Sequence, residues 1–172
     1  MKTIFKTLLV AAAFIVFANL NAFAQTTGPF ETIDDKEQLD AMVPRSFYFA
    51  GLSGLTQRRN SAVARLGEKR YVLAGLVDVS GYSTDISGVY EGFFITDSPV
   101  KFGAKKLKIG AYGIGFSKSG MARVFDLSGK QLFQTPTTKD EELKRPRPLM
   151  MQVEAKGIRL YKGKDYVVIS PR

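Results

Sequence analysis

Ser61-Ala62-Val63-Ala64-Arg65-Leu66-Gly67-Glu68-Lys69-Arg70-Tyr71-Val72-Leu73-Ala74-Gly75-Leu76-Val77-Asp78-Val79 decides the fold class. Two apolar runs, Ser61 to Leu66 and Arg70 to Val79, flank Gly67-Glu68, which is the pattern of a β-hairpin. The pattern continues in both directions. Upstream, Phe47 and Phe49 alternate with Ser46, Tyr48 and Ala50. Downstream, Tyr90 to Thr96 forms an aromatic-rich strand closed by Asp97-Ser98-Pro99, and Lys106 to Ile109 and Tyr112 to Ser117 flank Gly110-Ala111. Met121 to Leu127 and Lys130 to Thr135 are joined by Ser128-Gly129. Leu149 to Ala155, Ile158 to Tyr161 and Tyr166 to Ser170 are separated by Lys156-Gly157 and Lys162-Gly163-Lys164.

Strands this short, with turns this frequent, predict an all-β domain: an antiparallel β-barrel or β-sandwich of about eight to ten short strands. Two helical segments are expected beside them. Thr32 and Asp35 stand at capping-box spacing ahead of a short N-terminal helix from Ile33 to about Met42, stopped before Pro44. Thr138 caps a short helical insertion, Lys139 to Lys144, with acids early, bases late and Pro146 behind. An outer-membrane barrel is disfavoured, because most strands fall short of the roughly 9–11 residues that a spanning strand needs.

The beginning of the chain supplies an address. Lys2 and Lys6 precede an apolar run from Leu8 to Ala18, and Ala22-Phe23-Ala24 forms a small-x-small site before Gln25. That order predicts a signal peptide over residues 1–24, with an apolar run well short of the roughly 20 residues of a membrane span. The expected organisation is therefore a leader, an acidic N-terminal arm and helix over 25–44, and a single β domain over 45–172. The mature protein is expected in the bacterial periplasm or secreted, as a monomer with no integral membrane segment.

Composition narrows the chemistry. The chain has no Cys, no His and no Trp. The usual zinc, copper and haem ligands are missing, as are the Ser-His and Cys-His couples of most exported hydrolases. The expectation is no cofactor and no metal. The formal net charge is +9 at pH 7, unevenly spread: Glu31, Asp34, Asp35, Glu37 and Asp40 face only Lys36 in residues 25–44. The remainder is strongly basic and suits anionic envelope polymers or lipid headgroups. The basic residues form no nucleic-acid motif, and export disfavours such a partner.

The segment Asp78 to Glu91 is longer than a tight hairpin requires, and its Tyr, Ser and Gly content resembles that of binding loops. It predicts ligand-binding residues Asp78, Tyr82, Asp85, Tyr90 and Glu91, joined by Tyr112 on a neighbouring strand. The plain alternative is a polar loop whose tyrosines pack back on the sheet. Asp78, Asp85 and Glu91 are also the only close acids there that could pair for acid–base work, and they do not match a Ca²⁺ loop. Arg145 and Arg147, in the stiff run Lys144-Arg145-Pro146-Arg147-Pro148, are candidates for anion binding. So are Arg58 and Arg59 in Gln57-Arg58-Arg59-Asn60. Against this, such arginines often pair with local acids, here Glu141 and Glu142. The glycines of Gly110 to Phe116 have no helix behind them, so a phosphate loop is rejected.

Tyr71 to Tyr82, Gly110 to Phe116 and Leu143 to Leu149 resemble exported bacterial β-proteins of unassigned function. The resemblance implies an envelope protein and carries no catalytic residue. The first expectation is thus a small binding protein for an apolar or amphipathic envelope ligand. The alternative is a structural or interaction module meeting anionic polymers through Arg58, Arg59, Lys105, Lys106, Arg145 and Arg147. The second alternative is a carboxylate-based hydrolase.

Overall fold

A computed structural model describes residues 30–172. The signal peptide expected over residues 1–24 lies outside the described residues.

Among the described residues fourteen strands and two short helices follow one another. The order is β1 (Phe30–Ile33), α1 (Lys36–Met42), β2 (Ser46–Phe49), β3 (Leu52–Leu66), β4 (Tyr71–Val77), α2 (Thr84–Ser87), β5 (Gly92–Thr96), β6 (Val100–Phe102) and β7 (Lys105–Leu107). Then come β8 (Gly110–Ser117), β9 (Met121–Phe125), β10 (Gln131–Pro136), β11 (Thr138–Lys139), β12 (Met150–Glu154), β13 (Gly157–Lys162) and β14 (Asp165–Pro171). One sheet has the order β1-β3-β4-β5-β8-β9-β10, with β2 on β3. The other has the order β12-β13-β14-β6-β7, with β11 on β14. Every pairing is antiparallel. The sheets stack without closing into a barrel, so of the two all-β architectures expected the sandwich is the one formed.

The chain passes between sheets three times: after β5, after β7 and after β10. At the first crossing the buried Thr96 hydroxyl donates to the Ser98 carbonyl at 2.6 Å. The second crossing falls at Gly110-Ala111, the dipeptide between two expected strands, and these two residues themselves open β8. β7 pairs with β6 in one sheet and β8 pairs with β5 in the other. A turn-like dipeptide looks the same whether the next strand doubles back or changes layer, and only the strand partners decide.

The large sheet is buried on both faces. Ala64, Val72, Phe94, Ile114 and Val124 face the small sheet, where Val100, Phe102, Ile158, Leu160 and Ile169 meet them. On the opposite face Phe47, Phe49, Val63, Tyr90, Phe93 and Phe125 form a second core. This is why Phe93 and Phe94, adjacent in sequence, are both 0% exposed: successive residues of a strand point to opposite faces. Phe49 is brought close to β8 by Gly113, where a Cβ would collide with its ring.

Both helical expectations are corrected in place. The N-terminal helix begins at Lys36, not Ile33, because Asp35 caps it by accepting from the Gln38 amide at 2.8 Å. Phe30–Ile33 instead pairs with β3. The helical insertion over Lys139–Lys144 is absent, and Thr138 and Lys139 pair with Tyr166 and Asp165 of β14. Asp140 does accept from the Leu143 amide at 3.1 Å. That single turn has no room to propagate before Pro146, since a helix nucleus is costly without further turns. The second helix of the structure is α2, inside the Asp78–Glu91 segment.

Candidate functional site

The tyrosines of the Asp78–Glu91 segment point inward. Tyr90 is 0% exposed and stacks on Phe49, ring centroids 3.8 Å apart at 12°. Tyr82 meets Tyr90 edge-on at 5.4 Å and donates its hydroxyl to the Leu52 carbonyl at 3.1 Å. Burial pushes both phenols above their ordinary pKa, Tyr90 furthest. The Tyr90 hydroxyl has no hydrogen-bond partner among the described residues. These rings fill the second core, and the loop presents no aromatic surface to a ligand.

Two of the three acids expected beside them, Asp78 and Glu91, hold backbone amides. Asp78 accepts from the Ser80 amide at 3.0 Å, a bond that holds its carboxyl below the usual range. Asp85 is exposed in the first turn of α2. Glu91 is the most engaged: Oε2 accepts from the Phe116 amide at 2.9 Å, and Oε1 accepts from Lys162 Nζ at 2.6 Å. Both its oxygens have strong donors. Among the described residues no group of three or more acids is arranged to hold a metal ion. Tyr112 stands apart, half-buried against the inter-sheet core and donating to the Lys108 carbonyl at 3.0 Å.

The candidate arginines divide. Between Gln57, paired with Leu76, and Ser61, paired with Gly75, the residues Arg58, Arg59 and Asn60 bulge out of β3 with no partner on β4. Arg58 uses the bulge to reach Asp40 of α1, at 2.7 Å to its carboxylate and 2.6 Å to its carbonyl oxygen. Arg59 and Arg145 are exposed. Arg147, exposed like them, also borders a groove of about 340 Å³ between α1, β1 and β3 on one side and the start of β12 on the other.

Ile33, Leu39, Val63, Leu149 and Met151 contribute apolar atoms to that groove, and Thr32, Asp34, Ser61 and Arg147 are among its polar residues; its accessible lining is more polar than apolar. The groove exists because β1 and β12 are the neighbouring edges of the two sheets. Among the described residues no carboxylate lies within 4.0 Å of the Arg147 guanidinium.

One charged cluster went unread in the sequence. On the outer face of the small sheet Arg159 binds Glu154 at 2.7 Å and stands 3.7 Å from Asp140. Its guanidinium lies over the Tyr166 ring at 4.6 Å, and the buried Tyr161 donates to Asp140 at 2.8 Å. Hydrogen bonds to Tyr161 and Glu154 raise the Arg159 pKa further above its ordinary value. The alternation Ile158-Arg159-Leu160-Tyr161 could have placed Arg159 and Tyr161 on one face. Nothing local pointed to Asp140. With every partner satisfied, the cluster pins the segment after β11 to the sheet.

A scan against protein-family models, a search of curated proteins and a search of solved structures each give no match.

Proposed function

We propose that the chain is a non-enzymatic binding domain that acts outside the cytoplasm and takes a small amphipathic anion in the groove between α1, β1 and β12. The supporting observation is Arg147, a guanidinium with no carboxylate partner among the described residues, set at a mixed groove of about 340 Å³ whose accessible lining is more polar than apolar. That volume falls within the range of about 300–1,000 Å³ common for small-molecule sites. Arg147 supplies a planar fork for a carboxylate or phosphate head. Leu39, Leu149 and Met151 offer an adaptable apolar wall for the body, methionine being the most deformable of the three. Asp34 lines the same groove and favours a ligand with a single anionic group, alongside a hydroxyl or amine, over a polyanion. Export rests on the leader sequence of residues 1–24.

The test is native mass spectrometry of protein isolated from the cells that produce it, compared with the same sample denatured. The expected result is an extra mass that disappears on denaturation and is depleted in Arg147→Gln. A bare protein mass would overturn this reading if 1-anilinonaphthalene-8-sulfonate, an amphipathic anion, also bound wild type and Arg147→Gln equally.

A further inference from the structure

At its β6–β7 edge, away from the Arg159 cluster, the outer face of the small sheet carries a pair of lysines with no carboxylate partner among the described residues. β6 and β7 present Val100, Phe102 and Leu107 to the core, which leaves Lys101 and Lys106 on the solvent side. Lys101 pairs directly with Lys106 across the β6–β7 ladder, and with Ser170 of β14 on its other flank. Directly opposed residues of an antiparallel pair bring their Cβ atoms to within about 5.5 Å, and like charges so placed destabilise the sheet. Relief by a carboxylate is the usual solution. Here no carboxylate lies within 4.0 Å of Lys101, Lys105, Lys106 or Lys108 among the described residues.

The geometry points to this face as a second binding surface, for a linear polyanion whose phosphate or sulfate groups neutralise Lys101 and Lys106 together. The occupant is chosen by charge and by shape. A pair of ammonium groups on a flat sheet face offers point charges without a pocket, so it recognises neighbouring anionic groups along a polymer and not a particular head. A lipid surface is a poorer fit, because the exposed apolar trio Tyr48, Leu52 and Leu55 sits on the β2–β3 hairpin of the other sheet, while near the lysines the small sheet offers Ile109, next to Lys108, with Val153 on its far edge strand β12. A second copy of the chain would meet like charge with like charge.

The surface is distinct from the Arg147 groove, and the experiment keeps the two apart. The probes are inorganic polyphosphate, dextran sulfate, inorganic monophosphate, and vesicles of neutral and anionic phospholipid, each titrated into the purified protein at rising salt. Binding to either polymer, weakening as salt rises from about 50 to 300 mM, is expected, since screening grows over that range. The stronger of the two polymers names the anionic group. Lys101→Gln/Lys106→Gln is expected to weaken polymer binding about tenfold while its melting temperature holds or rises, because a repulsive pair has been removed. Arg147→Gln should bind the polymer as wild type does. The proposal fails if neither polymer binds, if anionic vesicles bind and polymers do not, or if Lys118→Gln/Lys130→Gln weakens binding as much as the paired-lysine variant.

Discussion

Glu91 ties the two sheets together through Lys162, its Oε1 accepting from Nζ at 2.6 Å across 71 residues of sequence. The other carboxylate oxygen takes the Phe116 amide at 2.9 Å, just beyond the Gly92–Ile114 pair where the β5–β8 ladder ends. The side chain thus extends the ladder by one acceptor after the β5 backbone has turned away. Glu91→Ala removes both bonds and strands the Phe116 amide, and a loss of about 2 kcal/mol is expected from an unpaired, partly buried donor. Lys162→Met, which spares the amide, should cost about 1 kcal/mol or less. Urea unfolding midpoints check the order. Equal losses would mean that the amide bond contributes nothing.

Gly113→Ala places a methyl group against the Phe49 ring, which is itself stacked on Tyr90. Overpacking of this kind costs about 1–3 kcal/mol. Phe49→Leu in the same background should recover part of the loss, because a smaller side chain frees the space above β8. Failure of the double variant to exceed Gly113→Ala in urea midpoint would show that the strain lies elsewhere.

Burial raises the pKa of Tyr90, Tyr82, Tyr112 and Tyr161 above the ordinary value of 10.0. The folded state therefore favours the neutral phenol more than the unfolded chain does. Their contribution to stability is complete below about pH 10 and is lost as the pH climbs from there toward the raised folded values. In an alkaline titration the tyrosinate absorbance of these four residues should appear together with the loss of the β-sheet circular dichroism signal. Full ionisation of every tyrosine before any loss of that signal would contradict the burial.

Arg159→Lys keeps the charge and loses the fork that serves Glu154, Tyr161 and Asp140. Faster amide hydrogen exchange is expected around Asp140, whose amide donates to the Lys164 carbonyl at 2.9 Å. Protection in β4 and β5 should not change. Exchange mass spectrometry on wild type and variant separates a local loosening from a global loss of stability.

The strands of this protein were legible because their signals are local. Phe47 and Phe49 are 6% and 1% exposed between exposed neighbours, as their alternation required. The Gly67-Glu68 turn does join β3 to β4. Phe93 and Phe94 also carried more information than strand character: two adjacent aromatics, both fully buried, mark a strand covered on both sides. The site was less legible. The segment from Asp78 to Glu91 has the composition of a binding loop, yet Tyr82 and Tyr90 had somewhere apolar to go once Phe49 and Phe125 were in place. A tyrosine's amphipathic ring suits either role, and the covering layer settles which. Arg147 was singled out for its charge. The Leu39 and Met151 walls that make it a candidate site come from segments more than a hundred residues apart in the chain.

The sequence by itself determined the all-β class, the places of most turns, and a chemistry without thiol or imidazole. Each of these depends on residues two to four apart or on composition alone, where sterics and side-chain alternation act without reference to the rest of the chain. Only the tertiary structure decided that β7 and β8 belong to different sheets, that Glu91 meets Lys162, and that among the described residues no carboxylate comes within 4.0 Å of the facing Lys101 and Lys106. The first two are choices of partner across long stretches of chain, and the third is the absence of such a distant partner. They are set by which pairings bury the most apolar surface for the chain entropy they cost, and no local pattern records that balance.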